Sequence, residues 1–229
     1  MKKINIAIDG PSASGKGVTA KKLAKLLTYN YLDTGSMYRA IGYYMYKNKI
    51  TFDDFNNYIN INKKDILKKI KIDFNDKNNI LLNGVDIENK IRTAEISMYA
   101  SNFSKLKEIR EFLVKKQKEI VKNKGYIADG RDIGSVVIPD AEVKIYLTAK
   151  VGVRAIRRYK EYLDKGVKTE LKEVMNDMKK RDEQDMNRKE SPLIKVDDAI
   201  EVDTTNLTIE EQVEKILKII KTREIVNIK

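Results

Sequence analysis

Ile4, Ile6 and Ile8 fall at every second position, a β-branched run that stops at Asp9-Gly10. Period-two spacing predicts a strand there, and the three-and-four spacing of Ala20, Leu23, Ala24 and Leu27 predicts a helix directly after it. A second short strand over Tyr31 to Asp33 leads into a helix from about Ser36 to Lys47. Strand and helix alternate, so the chain reads as α/β. From about Thr51 to Glu88 the composition shifts to Asn, Lys, Asp and Ile, and two β-like runs, Lys71 to Phe74 and Ile80 to Asn83, flank the turn-rich Asn75-Asp76-Lys77-Asn78-Asn79. That stretch predicts a small inserted subdomain with a hairpin. Helices follow over Ala94 to Ser101 and Leu106 to Asn123, with Gly125 ending the second. Tyr126 to Asp129 and Val143 to Leu147 read as buried strands. Val153 to Arg188 reads as a charged helical stretch broken near Gly166. Ala199 to Val202 predicts a last strand. Thr208 and Glu211 then form a capping box opening a helix whose Ile209, Val213, Ile216, Leu217 and Ile220 share one face.

Composition narrows the chemistry. The 229 residues include no cysteine and no histidine, which removes disulfides, thiolate catalysis and the usual proton shuttle. Any catalysis must rest on carboxylates, lysine, arginine, hydroxyls or backbone groups, and that favours phosphoryl transfer. No apolar run is long enough to cross a bilayer, and Asp9-Gly10 interrupts the apolar start, so a soluble cytoplasmic protein is expected. The net charge of +12 points to an anionic substrate or a polyanionic partner. Only ten of the 46 basic residues are arginine. Because the guanidinium fork meets phosphate with two parallel hydrogen bonds, a scarce arginine is a pointer to a site, with composition bias as the competing explanation.

The segment Gly10-Pro11-Ser12-Ala13-Ser14-Gly15-Lys16 has the G-x-x-x-x-G-K spacing between a predicted strand and a predicted helix. Glycines there let backbone N–H groups converge on phosphate oxygens, the helix N-terminus adds partial positive charge, and Lys16 reaches the terminal phosphates. The usual Ser or Thr after the lysine is replaced by Gly17, then Val18, with Thr19 one step further. A direct hydroxyl bond to Mg²⁺ is therefore not expected, and the metal would be held through water and phosphates. Asp129, ending an apolar strand, is the candidate for that indirect support. An aspartate that merely closes the strand in a turn is the alternative.

Several further segments share one pattern: Ile6 to Ser12, Leu32 to Arg39, Ile91-Arg92-Thr93, Ala128 to Gly134, Arg181-Asp182 with Asp185 and Arg188, and Ser191-Pro192-Leu193. In order and spacing they resemble the bacterial cytidylate kinases nearly end to end. Eight of the ten arginines, all but Arg157 and Arg223, fall in these motifs or in positions aligned with the family's binding and lid sites. The resemblance implies a P-loop NTPase-type parallel sheet flanked by helices, with an inserted monophosphate-binding subdomain and a helical lid. The expected single domain runs from 1 to 229, with core 1–50, insert 51–100, core 101–152, lid 153–168 and core 169–229.

It also implies the transfer of the γ-phosphoryl group of ATP to CMP or dCMP with Mg²⁺, by a monomer with no nucleic-acid or membrane partner. Carried over residue by residue, Lys16, Arg131 and Arg188 would be catalytic. The donor site would comprise Gly10, Pro11, Ser12, Ala13, Ser14, Gly15, Lys16, Gly17 and Val18, with Arg154 and Arg158 closing from the lid. The acceptor site would comprise Thr34, Arg39, Ser101, Arg110, Arg131, Asp132, Arg181, Asp185 and Arg188. Of these, Ser101, Arg110 and Asp132 would read the base, and Arg181 and Asp185 would contact the ribose.

Two pairs have a plainer reading. Arg181 and Asp185 have i, i+4 spacing and would suit a surface salt bridge; Arg154 and Arg158 have the same spacing and would suit a charged solvent face. Other functions compete too. The acceptor could be AMP, UMP or a small hydroxylated metabolite. The charge could also serve nucleic-acid binding, although Lys115 to Lys124 lacks the interleaved aromatic residues that such binding uses.

Overall fold

The computed structural model describes residues 3–57 and 63–226; residues 58–62 of the expected insert lie outside this range. In chain order the elements are β1 (Ile6–Asp9), α1 (Lys16–Leu27), β2 (Asn30–Asp33), α2 (Thr34–Lys47), α3 (Phe52–Asn57), α4 (Lys63–Lys68), β3 (Ile72–Phe74), β4 (Ile80–Leu82) and β5 (Val85–Asp86). There follow α5 (Ala94–Phe103), α6 (Lys107–Val121), β6 (Tyr126–Gly130), a π-helical turn (Ile133–Val137), β7 (Val143–Thr148), α7 (Val151–Asp164), α8 (Leu171–Asn187), β8 (Ile200–Asp203) and α9 (Ile209–Val226). The chain divides into two compact units, one made of Met1–Leu32 with Val121–Lys229 and the other of Asp33–Ile120.

The first unit is built on a sheet of order β2-β6-β1-β7-β8, with β1 paired in parallel to β6 and β7, and β7 to β8. Every residue of β1 is buried, as a central strand covered on both faces requires. In β7 burial alternates: Val143, Ile145 and Leu147 face the core, and Lys144, Tyr146 and Thr148 lie half-buried on the other side. The core joins Ile6, Ile8, Ile127, Ile145 and Leu147 of the sheet to Leu23 of α1 and Val213, Ile216 and Ile220 of α9. Each such fully buried aliphatic contributes on the order of 1.5–3 kcal/mol. The capping box is present: the Thr208 backbone N–H donates to Glu211 (2.8 Å), and the Glu211 N–H to the Thr208 hydroxyl (3.2 Å). The stretch read as one broken helix is a pair, α7 and α8, turned at Gly166 with a φ of 69° and packed through Ala155, Val174 and Met178.

The second unit, Asp33–Ile120, includes α2 and α5, which pack closely on each other. Their contact depends on Gly42, where an added β-carbon would lie 2.7 Å from the Ala100 nitrogen. The buried rings of Phe55 and Phe103 meet edge to face, 5.7 Å apart, and bring α3 against α5. The predicted hairpin is in fact a three-stranded antiparallel sheet, β3-β4-β5. Its third strand follows Asn83-Gly84, both with positive φ (51° and 81°), a two-residue turn whose sequence is itself a hairpin signal.

Candidate nucleotide site

Gly10 to Gly15 joins the end of β1 to the start of α1. Gly10 has a φ of 147°, and a β-carbon there would sit 2.0 Å from the Leu147 carbonyl oxygen, so no other residue fits against β7. Helix α1 starts at Lys16 without a side-chain cap, leaving the N–H groups of its first turn directed at the loop, a ready anion cradle. The buried Lys16 ammonium donates to the Pro11 carbonyl at 2.7 Å and lies 3.4 Å from the Ser14 hydroxyl. Burial and the neighbouring Arg131 guanidinium push its pKa down, against the opposing pull of Asp129, Asp9 and Asp185.

Helix α7 grips the loop from outside. The buried Arg154 donates to the carbonyls of Ala149 (2.8 Å) and Ser12 (3.2 Å) and pairs with Asp182 at 2.7 Å. That burial rules out the plain solvent-face reading for Arg154. Arg158 reaches the Ser12 hydroxyl at 3.3 Å and Glu161 at 2.8 Å. Arg157, which the motifs passed over, donates to the Thr204 carbonyl (2.7 Å) and hydroxyl (3.1 Å). The buried Thr204 hydroxyl in turn lies 3.1 Å from the Ser14 carbonyl. No local pattern marks Arg157, since Thr204 is 47 residues away in sequence.

Asp129 is the penultimate residue of β6, buried, with its Oδ1 accepting the Tyr31 hydroxyl at 2.7 Å. A β-carbon at Gly17 would stand 4.0 Å from its Oδ2 and 3.4 Å from the Tyr31 oxygen. Thr19, the nearest hydroxyl along the helix, donates to Gln212 at 3.0 Å and faces the core. Among the described residues, no group of three or more acidic side chains could enclose a metal ion. A lone buried carboxylate beside the missing side chain of Gly17 suits a hydrated cation whose other ligands come from phosphates and water.

Asp185 of α8 organises the arginines. It pairs with Arg131 at 2.8 Å and with Arg188 at 3.5 Å, and Arg188 also donates to the Ser191 carbonyl at 2.7 Å. Burial would raise the Asp185 pKa, but Arg131, Arg181 and Arg188 together hold it below the usual carboxylate range. Asp132 follows Arg131 and is buried.

In the second unit Asp33 has the same organising role. It caps α2 by accepting the Ser36 N–H at 2.8 Å, and pairs with Arg39 (3.1 Å) and Arg92 (2.9 Å). Burial opposes its ionisation, yet these two guanidinium groups keep its pKa below the ordinary value. Glu88 holds Arg92 from the other side at 2.6 Å. Thr34 is buried at the first position of α2. Arg110 lies buried over the Tyr38 ring, 5.3 Å from its centroid, and donates to the Ser104 carbonyl at 3.1 Å. Ser101 joins this cluster through its carbonyl, which accepts the Ser104 hydroxyl at 2.8 Å. Arg131, Arg188 and Asp185 thus form one arginine-rich cluster and Arg39 and Arg92 another, organised by Asp33, to which the sequence had given no role.

A family model described as Cytidylate kinase matches residues 6–222. The chain belongs to the cytidylate kinase family. It is 50% identical over 218 residues to the cytidylate kinase of Thermosipho melanesiensis, covering 95% of this chain and 97% of the relative. It is 47% identical over 220 residues to that of Caldicellulosiruptor bescii, covering 96% of each. As a member of the cytidylate kinase family it is a kinase with a P-loop α/β fold. An uncharacterised protein from Eubacterium ventriosum, only 13% identical, shares that fold over 96% of this chain and 99% of its own, with a TM-score of 0.52. No helix among the described residues of this chain is long and apolar enough to cross a membrane.

Proposed function

We propose that the chain transfers the γ-phosphoryl group of ATP to CMP or dCMP, giving ADP with CDP or dCDP, as a cytoplasmic monomer with no nucleic-acid partner. The observation that carries this reading is the gathering of Lys16, Arg131 and Arg188 around the phosphate loop, with Asp185 between the two arginines. An acceptor phosphate is already an anionic nucleophile at neutral pH, so a chain without histidine lacks nothing the reaction needs. Catalysis then reduces to alignment and charge neutralisation.

The loop from Gly10 to Gly17, with Val18, binds the donor phosphates. Lys16 moves from the Pro11 carbonyl to the terminal phosphate, and Arg154 and Arg158 hold the loop and the donor. Arg39, Arg131 and Arg188 take the acceptor phosphate and the transferring group, with Thr34 as a hydroxyl donor. Arg181 and Asp185 contact the ribose. Ser101, Arg110 and Asp132 read the cytosine edge: a carboxylate accepts from its amino group, and the guanidinium donates to its acceptors. Uracil would set an acceptor against that carboxylate, a mismatch that costs more than a lost methyl contact. Mg²⁺ carried by the phosphates and supported by Asp129 supplies additional neutralisation of phosphoryl charge.

The test is ADP release from ATP and Mg²⁺ with CMP, dCMP, UMP and AMP as acceptors. CMP and dCMP should give the highest kcat/KM; AMP as the preferred acceptor, or no acceptor-dependent release at all, would overturn the assignment.

A further inference from the structure

The carboxylate immediately before the phosphate loop serves neither of the roles assigned so far. Asp9 is the last residue of β1 and is buried. Its Oδ1 accepts the Ile133 N–H at 2.8 Å and its Oδ2 the Gly134 N–H at 2.7 Å. Those two amides begin the π-helical turn, in which the Asp132 carbonyl accepts from both Val136 (2.9 Å) and Val137 (3.1 Å). Such a widened turn is uncommon and is found frequently at functional sites, and two residues of the acceptor reading stand just before it. Arg131 and Asp132 are those residues.

We propose that Asp9 is a positioning residue for the phosphate acceptor, its two oxygens fixing the turn that presents Arg131 and Asp132, so that the strand leading into the donor loop also sets the acceptor-side groups. This rests on the proposed acceptor roles of Arg131 and Asp132. Asp9 reaches its partners across 124 and 125 residues of sequence, and accepting both amides at once, one on each oxygen, suits an ionised carboxylate. The alternative, that Asp9 serves the donor loop, finds less support, because among the described residues its carboxylate accepts from the turn's two amides and not from a donor of residues 10–16.

The charged and titratable groups around it are Lys16 from α1, Asp132 from the turn and Tyr146 from β7. Lys144 also borders the turn, its Cδ lying 3.2 Å from where a β-carbon on Gly134 would stand. Burial pushes the Asp9 carboxyl up to about 6, with the Asp132 charge adding and the two amides and Lys16 opposing. Below that pH the carboxyl gains a proton, one oxygen becomes a donor, and one of the two amide bonds is lost.

The test is steady-state kinetics of Asp9→Asn, varying CMP and ATP in turn, with a thermal melt on the same samples. Asn can accept from one amide but turns an N–H₂ toward the other. The expected result is a KM for CMP raised at least fivefold, a KM for ATP within twofold of wild type, and a Tm not lowered by more than a few degrees. Gly134→Ala, which presses on the same contact from 3.4 Å, should raise the KM for CMP in the same selective way, and serves if Asp9→Asn does not fold.

A pH series supplies a second readout. The CMP phosphate itself titrates near pH 6 and affects both proteins alike. The ratio of wild-type to variant kcat/KM for CMP should therefore fall as pH drops from 7.5 to 5.5. Equal rises in both KM values, or a CMP KM within twofold of wild type, would overturn the positioning role. A wild type inert toward every monophosphate would instead defeat the proposed function, and this inference with it.

Discussion

Arg131 and Arg188 share one carboxylate: Asp185 lies 2.8 Å from one and 3.5 Å from the other. A buried carboxylate between two guanidinium groups costs desolvation, but removing it would take from two part-buried cations the charge they share, the costlier arrangement. On the proposed function the pair is held ready for the acceptor phosphate. Lys16 is held likewise, on the Pro11 carbonyl at 2.7 Å, the contact that the proposal has a donor phosphate replace. Replacing either Lys16 or Arg131 by Ala should lower kcat by roughly a hundredfold or more. Both variants should still give a cooperative melt, and near-normal turnover in either purified protein would contradict its role.

At the level of elements, the α7 arginines show how one helix face serves a loop it does not belong to. Arg154 and Arg158 reach Ser12, while Arg157 reaches Thr204, whose hydroxyl holds the Ser14 carbonyl. The i, i+4 spacing of Arg154 and Arg158 was visible in the sequence, but their partners were not. In the second unit the close approach of α2 and α5 rests on Gly42, and two effects oppose each other there. Alanine gains up to about 1 kcal/mol of helix propensity, whereas its β-carbon would meet the Ala100 nitrogen at 2.7 Å and the Ile96 carbonyl at 3.1 Å. These atoms are backbone and cannot yield without separating the helices, so overpacking, at roughly 1–3 kcal/mol, wins. Gly42→Ala should be destabilised by about 1–2 kcal/mol in urea unfolding, and a more stable variant would show that the helices can part freely.

For the molecule as a whole, the buried carboxylates give opposite signs to its pH dependence. Asp33 and Asp185 titrate below their ordinary range in the folded chain. Their ion pairs therefore contribute stability that is present above the unfolded pKa, near 4, and is lost as pH falls through the folded values. Asp9 is raised to about 6, so between its unfolded value of 3.8 and 6 the folded chain binds more protons and gains stability on acidification. Unfolding free energy measured from pH 7.5 to 3 should fall steeply below about pH 4. Between pH 7.5 and 4, the difference between wild type and Asp9→Asn should shift in favour of wild type by up to roughly 3 kcal/mol; a difference independent of pH would show that Asp9 titrates normally.

Much of this architecture was legible in the chain itself. The phosphate loop, the alternating strands, the capped last helix and the apolar face of α9 are local patterns, set by glycine geometry and by the spacing of buried positions over a few residues. Asn83-Gly84 carried a hairpin signal of the same local kind, and the third strand of the small sheet lay within reach of it. The pairings were of another kind. That Asp185 meets Arg131, Asp33 meets Arg92, Thr19 turns to Gln212 and Asp9 holds the turn after Asp132 depends on segments 54 to 193 residues apart. A chain with 34 acidic and 46 basic residues offers far more possible partners than it uses, and only packing selects among them. The sequence alone determined most of the strands and helices and the glycine-lysine loop between the first two, because those depend on neighbours along the backbone. The tertiary structure decided which charges meet, because burial brings together groups that the backbone keeps far apart.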